Sequence, residues 1–363
     1  MSFDEFLSKY HLTAKYSSEY ETRRALFETE VQNVEKHNNS TSSFKRGINH
    51  FSAMSEEEKH STFGFSKTQA FLHEESPHKL HASKALPTLL PASSLPSHVD
   101  WRSAGVVSTI KDQGHCGSCW AFAATATLES HVAIKTGLLN ELSPQQFVEC
   151  AQNLNHCGGT GGCAGSTAEL AWDYLAKSGT GMFGSFQYPY TSWSGLETYP
   201  SCGLAADPEK QKALGMSPLA YVSGFVSARG VDADFLMNAV ATVGPVAVNV
   251  AATGMHSYTS GVYDGCSSAS PQISDINHVV VVVGYGTDKE TGLDYWLVRN
   301  SWQAGFGEGG YIKMLRTKET QYTVDETPED GVECANPSGE TLPPVKIGGE
   351  CGILYQVAWP LVA

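Results

Sequence analysis

Cys119 lies in Gln-Gly-His-Cys-Gly-Ser-Cys-Trp-Ala-Phe, residues 113–122, where a glycine-rich turn runs into the apolar stretch 119–136, stopped by Gly137. The pattern predicts a buried helix with Cys119 at its start. Peptide N–H groups at a helix N-terminus favour an anion, so a thiolate there is stabilised and its pKa falls. A thiolate is the nucleophile that acyl transfer needs, together with a base and a pocket for the developing oxyanion. Six histidines lie beyond residue 94: His98, His115, His131, His156, His256 and His278. A lone histidine is more often structural than catalytic, but His278 opens an apolar strand in Asn277-His278-Val279, where its ring can project from a strand end into a cleft. Asn300-Ser301-Trp302 closes another predicted strand. An Asn amide can fix the imidazole tautomer there, and Trp302 can shield that bond from water.

Three other readings compete for Cys116-x-x-Cys119. A thioredoxin-like redox pair should close a strand in a βαβ pattern, which the sequence lacks. A zinc site would draw on His156, Cys157 and Cys163, at irregular spacing. Both cysteines can also be structural.

The elements that position these residues are helices first and strands second. In the first ~60 residues Tyr20, Phe27, Val31 and Val34 share one side of an amphipathic helix, and Glu19 and Arg23 form an i,i+4 pair. From Lys67 to Ser97 the composition turns to Pro, Ser, Leu and His without periodicity, as in an extended or flexible linker. Ser143-Pro144 opens a second helix after the one at Cys119. Ser166-x-x-Glu169 reads as a capping box starting a third, which ends by Gly179. Beyond ~215 the signals are strands, at 245–252, 278–286, 295–302 and 310–315. This order implies an α+β protein with two segregated halves. Residues 317–350, acidic with Pro and Gly, read as a long surface loop.

Composition sets the frame. The 363 residues carry a net charge of −14, which disfavours nucleic acid as a partner because phosphate binding needs clustered Lys and Arg. Residues 1–94 hold 11 Lys+Arg and 12 Asp+Glu, leaving 13 and 26 for the remainder, so the charge sits beyond residue 94. Histidine runs the other way, with 7 of 13 in those first 94 residues. No run of 18 apolar residues predicts a membrane span, and no signal peptide is visible at the N-terminus. Nine cysteines, all within 116–351, fit four disulfides and one free thiol in an oxidising compartment.

The segments QGHCGSCWAF, NHVVVVVGYG and NSW, in this order, resemble the papain and cathepsin L family of cysteine proteases. LPSHVDWRSAGVVSTIKDQG (95–114) resembles the start of a mature enzyme, LSPQQFVEC the following helix, and CGILYQVAWP the C-terminal strand. Glu19, Arg23, Phe27, Val34 and Asn38 resemble the family's ERFNIN prosegment helix, and Gly47, Asn49 and Phe51 a second prosegment motif. The likeness spans nearly the whole chain except 317–350. Departures are Glu30 for Asn in the helix, Ala53 for the final Asp of the second motif, Gln303 for Gly after NSW, and Phe306 for a Trp.

The resemblance implies a papain-like two-domain fold, with a helical left domain, a β-barrel-like right domain and the active-site cleft between. It implies an inhibitory prosegment at 1–94 and a mature peptidase at 95–363, its helical half about 107–214 and its β-rich half about 215–363, with 317–350 inserted. Cys119 would be the nucleophile, His278 its ion-pair partner with the thiol pKa depressed, and Asn300 the group orienting His278. Gln113 and the Cys119 N–H would form the oxyanion hole. Gly165 and Ser166 would run along the substrate backbone. Ala168, Ile276, Val279 and Gln356 would line the main specificity pocket, which prefers an apolar side chain, with Gln356 relaxing that preference. Trp302 also borders the substrate. The implied disulfides are Cys116–Cys163, Cys150–Cys202 and Cys266–Cys351, leaving Cys157 and Cys334 to pair with each other or Cys157 to replace Cys163.

The expected activity is that of a latent cysteine endopeptidase without cofactor or metal. No paired-His occluding loop appears between Cys119 and Cys202, which favours an endopeptidase over a dipeptide-removing exopeptidase. Its partners would be polypeptide substrates and its own prosegment, and the enzyme would be a monomer without nucleic-acid or membrane partners. Its place would be an acidic lysosome-like or vacuole-like compartment, or outside the cell. The prosegment histidines can gain charge in acid and loosen the latent contact. A catalytically silent relative used for binding or storage is the competing class. It would be expected to have lost Cys119, His278 or Gln113.

Overall fold

In a computed structural model the chain is described except at residues 14, 65–88, 155–156, 196–201, 267–275, 318–321 and 326–343. It opens with α1 (Phe3–Lys9), where Ser2 and Glu5 close a reciprocal capping box, followed by α2 (Tyr20–Asn38). Phe27 of α2 is buried against Phe3, Phe6, Leu7 and Tyr16, with Tyr20 and Val31 packed at the edge. This small core is closed by charge. Arg23, buried, reaches Glu19 at 2.6 Å and Glu58 at 2.9 Å, and donates to the Ala53 carbonyl at 3.1 Å. Glu58 belongs to α3 (Glu56–His60), itself capped by Ser55.

Between α2 and α3 lies β1 (Phe44–Arg46), which pairs antiparallel with β5 (Tyr258–Tyr263). After α3 the chain crosses Phe63 and Gly64. Described residues resume at 89, where Leu90 exchanges two 2.8 Å bonds with Asn238. Most of the stretch expected as a linker lies outside the described residues.

The helical half is built on α4 (Cys119–Thr136), buried on all sides through Ala133, which is why its sequence shows no polar face. Gly137 ends it at φ 75°, a left-handed C-cap that glycine adopts without steric cost. Trp120 is fully buried in its core, and truncating it to Ala would cost about 3–5 kcal/mol. Against α4 pack α5 (Pro144–Cys150), with Ser143 as N-cap, and α6 (Ala168–Ser178), ended by Gly179. The expected capping box is not formed. Thr167 is the N-cap of α6, accepting from the Leu170 N–H, and Glu169 turns inward to other partners. A short α7 (Pro208–Ala213) follows.

The β half holds β2 (Val99–Asp100), β3 (Val222–Arg229), β4 (Val246–Val250), β6 (His278–Thr287), β7 (Asp294–Arg299), β8 (Tyr311–Leu315) and β11 (Gln356–Val362). With β1 and β5 they form one sheet ordered β1-β5-β8-β7-β6-β4-β11-β3, with β2 added on β6. The pairs are antiparallel except β5 with β8. The half expected to be β-barrel-like is a mixed sheet whose strands follow an open path among the described residues, without closing into a barrel. At one end β3 packs against α6, and at the other β5 is extended by β1.

The run at 279–283 is apolar throughout because β6 is buried on both faces. Val279, Val281 and Val283 face the cluster of α4 and α6, while Val280 and Val282 face a second cluster that includes α8 (Ala233–Thr242). That helix stands in the region read as strands. Residues 317–350 are not wholly loop, for β9 (Tyr322–Asp325) and β10 (Val345–Gly348) pair as an antiparallel two-stranded sheet.

Disulfides join Cys116 to Cys163, Cys150 to Cys202 and Cys266 to Cys351. Cys157 is also disulfide-bonded, while Cys334, one of the two partners considered for it, lies outside the described residues. Cys119 is the free cysteine among the described residues. No described helix is long and apolar enough to cross a membrane.

Candidate active site

Cys119 is the first residue of α4, and no side chain caps that helix: Ser118, its N-cap, shares its hydroxyl with Tyr190 at 2.9 Å instead. The first-turn N–H groups are therefore open toward the thiol. Across from it, His278 begins β6, its Nε2 lying 2.9 Å from Asn300 Oδ1. That amide oxygen also accepts the Ser301 N–H at 2.7 Å. An oxygen can only accept, so Nε2 carries the imidazole proton and Nδ1 presents its lone pair. Nδ1 is buried and has no hydrogen-bond partner. The Trp302 indole stacks on the His278 ring at 4.7 Å and 26° and keeps water from the His278–Asn300 bond.

Gln113 is fully buried. Ser301 Oγ donates to its Oε1 at 2.6 Å, which turns its Nε2 toward the Cys116 carbonyl at 2.9 Å and the prosegment Thr62 carbonyl at 2.8 Å. A backbone carbonyl thus occupies the donor that an oxyanion would use. The loop carrying Gln113 is tied to both halves. Glu129 of α4 accepts from Ser108, Lys111 and the Leu142 N–H. Arg299, next to Asn300, donates to Ser108 Oγ at 3.0 Å and to the Thr109 carbonyl at 2.6 Å.

The segment after α3 passes over the thiol at Gly64. A Cβ there would stand 2.7 Å from Cys119 Sγ, and a Cβ on Gly165, at φ 90°, would run into the Gly64 carbonyl at 1.5 Å. Both positions require glycine, since the two backbones meet with no room for a side chain. Under this cover burial dominates the electrostatics of both groups. Burial pushes the Cys119 thiol up to about 11, outweighing the N–H groups of Val279, Gly64, Trp120 and Cys119 that favour the thiolate. Burial also pulls His278 down to about 4, against the opposing Asn300 bond. In the full chain burial thus favours the neutral form of both groups, opposite in direction to the depressed thiol expected of the catalytic pair.

The other expected site residues divide. Ala168 and Val279 share one apolar cluster with Cys119, whereas Ile276 lies in the other. Ser166 has a buried hydroxyl without a hydrogen-bond partner. Gln356 is no free polar group at a pocket floor. Its Nε2 donates to Glu169 Oε1 at 2.5 Å and lies 3.3 Å from Ser227 Oγ, while its Oε1 accepts from Asn249 at 2.6 Å. Of the remaining histidines, His131 is buried with Nε2 on the Pro245 carbonyl at 2.8 Å, and His115 Nε2 lies 2.8 Å from Lys15 Nζ. His156 lies outside the described residues. The Cys116–Cys163 bridge and the bonded state of Cys157 remove both the redox-pair and the zinc readings.

Sequence reasoning missed Thr62, Gly64, Glu169, Asn249 and Ser301. Only Ser301 carried a signal, as the middle residue of Asn-Ser-Trp.

Residues 95–331 match the family model described as papain family cysteine protease, and residues 3–58 match the cathepsin propeptide inhibitor domain. Cathepsin L of Sarcophaga peregrina is 36% identical over 317 residues, covering 84% of this chain and 85% of its own. Procathepsin L of Rattus norvegicus is 35% identical over 312 residues, 83% of each chain. Among solved structures, the recombinant stem bromelain precursor aligns with TM-score 0.70 at 28% identity over 99% of this chain and 97% of its own. The digestive procathepsin L 3 of Tenebrio molitor larval midgut aligns with TM-score 0.69 at 29% identity over 99% of each.

Proposed function

The chain belongs to the papain family of cysteine proteases, and from that premise we propose Cys119, His278, Asn300 and Gln113 as its catalytic residues. The protein is a cysteine-type endopeptidase made as a zymogen, with polypeptide substrates and its own prosegment as intramolecular inhibitor. The observation that carries the assignment is the Gly64 backbone lying against Cys119 Sγ while the Thr62 carbonyl holds the Gln113 amide. The prosegment occupies with its own backbone the places a substrate carbonyl and its oxyanion would take.

With the prosegment gone, His278 Nδ1 takes the Cys119 proton, and the resulting imidazolium and the first-turn N–H groups of α4 stabilise the thiolate. The thiolate attacks the peptide carbonyl, and the oxyanion is held by Gln113 Nε2 and the Cys119 N–H. Nδ1–H of His278 then protonates the departing amine as the C–N bond breaks, leaving a thioester. A water gives its proton to Nδ1 and attacks the thioester, releasing the acid and returning the thiolate. Asn300 keeps Nε2 occupied throughout, so the proton moves at Nδ1 only.

The proposed boundary is 1–94 for the prosegment and 95–363 for the mature peptidase, in keeping with the peptidase match beginning at 95. Ala168, Val279 and Ile276 line the main specificity pocket. Gly165 and Ser166 border the substrate backbone, and Trp302 its leaving side. The enzyme is taken as a monomer working in an acidic or extracellular compartment, without nucleic-acid or membrane partners. Mass spectrometry after acidification to about pH 5 with reductant tests the reading. Loss of the first 90–100 or so residues, with peptidase activity abolished by one label on Cys119, is expected. An intact chain that takes the label but cleaves no peptide would refute it.

A further inference from the structure

His256 is used by nothing in the mechanism, yet it stands beside it. Its ring lies parallel to the Trp302 indole, at 4.8 Å and 9°, and the same indole stacks with His278. Apart from a hydrogen bond to the Thr253 backbone of the peptidase, its remaining neighbours come from the prosegment: Phe51 at 4.7 Å, Phe63 at 5.1 Å, and Thr62 Oγ1 at 3.2 Å from its Nε2. When the prosegment leaves, these contacts leave with it, and the Nε2 edge opens onto the cleft while Trp302 stays.

The chemistry fixes which part of a substrate meets that edge. His278 Nδ1 must come within about 3 Å of the departing nitrogen to protonate it. The residue bearing that nitrogen, the first after the cut, therefore packs on the wall beside His278. Phe63 already samples this wall. With Gly64 at the thiol, the Phe63 ring lies 6.0 Å from His278, 6.2 Å from Trp302 and 5.1 Å from His256.

We propose that His256 is a specificity-determining residue for the side chain that follows the cleaved bond, and that its imidazole makes the preference pH-dependent, favouring an acidic side chain once protonated. Neutral His256 with Trp302 offers a flat aromatic surface suited to an apolar or aromatic side chain, as Phe63 shows. Protonated, it adds a cation at the same place.

The charged groups facing it are Lys59 and His50 of the prosegment and His278 of the peptidase. In the full chain, burial first and these groups second hold His256 well below its ordinary range. Lys59, His50 and the covering rings depart on maturation. The positive charge of His278 remains, and the Cys119 thiolate beside it offsets that charge. With that burial and those two charges removed, the His256 titration moves back up toward the ordinary imidazole range, helped by its hydrogen bond to the Thr253 backbone.

This inference rests on the proposed peptidase activity, and the test separates the two. Two internally quenched peptides, differing only in Glu or Gln after the scissile bond, are cleaved by the full chain matured in acid, at pH 7 and pH 5. The ratio of kcat/KM for Glu over Gln should rise about fivefold on acidification, as one partly screened charge pair allows. In His256→Gln and in His256→Leu the ratio should stay within about twofold across that range. A wild-type ratio that does not move, or an equal rise in whichever variant matures, overturns the role of His256. Failure of the wild type to cleave even the Gln peptide overturns the peptidase reading itself, and this inference with it.

Discussion

The prosegment and the peptidase body are held together by different means. The body buries two large apolar clusters on either side of β6, one of them completed by Phe44, Phe51, Met54 and Phe63 of the prosegment, and is cross-linked by disulfides. The prosegment has no cysteine before residue 95, a core of only a few aromatic and aliphatic side chains, and an ion-paired arginine at its centre. Apolar burial and covalent links are indifferent to pH, whereas ion pairs and desolvated histidines are not. The body has buried ion pairs of its own, such as Lys111 with Glu129, but larger cores and disulfides hold it besides, so acid should loosen the prosegment first.

The hardest test of that contrast is to remove the chemistry alone. Cys119→Ala should lower peptidase activity by at least ~10⁴-fold and leave the chain full-length after acidification, with unfolding of the body unchanged by calorimetry.

Next is the centre of the prosegment. Arg23 is mostly buried, and its partner Glu58, about a quarter exposed, sits below its ordinary range because the Arg23 and Ser55 hydrogen bonds outweigh burial. Arg23→Ala leaves Glu58 and the Ala53 carbonyl without their donor and should cost the prosegment about 3 kcal/mol. Processing should then proceed at pH 7, read as peptidase activity without acid, while the melting of the matured enzyme stays the same.

A smaller effect comes from pH itself. Burial first, then His115 and Lys15, hold His50 at about 4, and burial holds His256 well below its ordinary range. A histidine whose pKa is lowered in the docked state favours docking fully above its free pKa, near 6.5, and loses that contribution as pH falls toward the docked value. Prosegment docking should therefore weaken between pH 6.5 and about 4, by about 2 kcal/mol at pH 5 for His50 alone. His50→Asn should flatten the pH dependence of the processing rate. A profile unchanged in that variant would remove His50 from the account.

The least disruptive change is Gly64→Ala. Its Cβ would meet Cys119 Sγ at 2.7 Å, so the prosegment must shift at the thiol, at about 1–2 kcal/mol. Latent activity at neutral pH should rise about tenfold, read on a fluorogenic peptide.

Features written in local sequence were legible. A glycine turn running into an all-apolar stretch gave α4 with Cys119 at its head, and Asn277-His278-Val279 gave the strand that starts at His278. Features decided by distant partners were not. Ser166-x-x-Glu169 has the spacing of a capping box, yet Glu169 turns to Gln356, 187 residues away, and Thr167 takes the cap. The ADFLMNAVAT segment, in the region where strand signals dominate, folds as α8, because Asp232 caps it and its apolar side meets the sheet. Ala53, which departs from the prosegment motif, is buried, and its carbonyl rather than a side chain meets Arg23. The open sheet was hidden for a related reason, since nothing in a strand's own pattern says whether the last edge finds the first or is covered by a helix.

The central claim is that the prosegment keeps Cys119 as a buried neutral thiol and that its departure creates the thiolate. The direct test is the rate at which iodoacetamide labels Cys119 at pH 7, followed by mass spectrometry in the intact chain and after acid maturation. With the thiol pushed up to about 11 in the full chain, labelling there should be at least ~10³-fold slower than in the matured enzyme. Equal rates in the two forms would contradict the account.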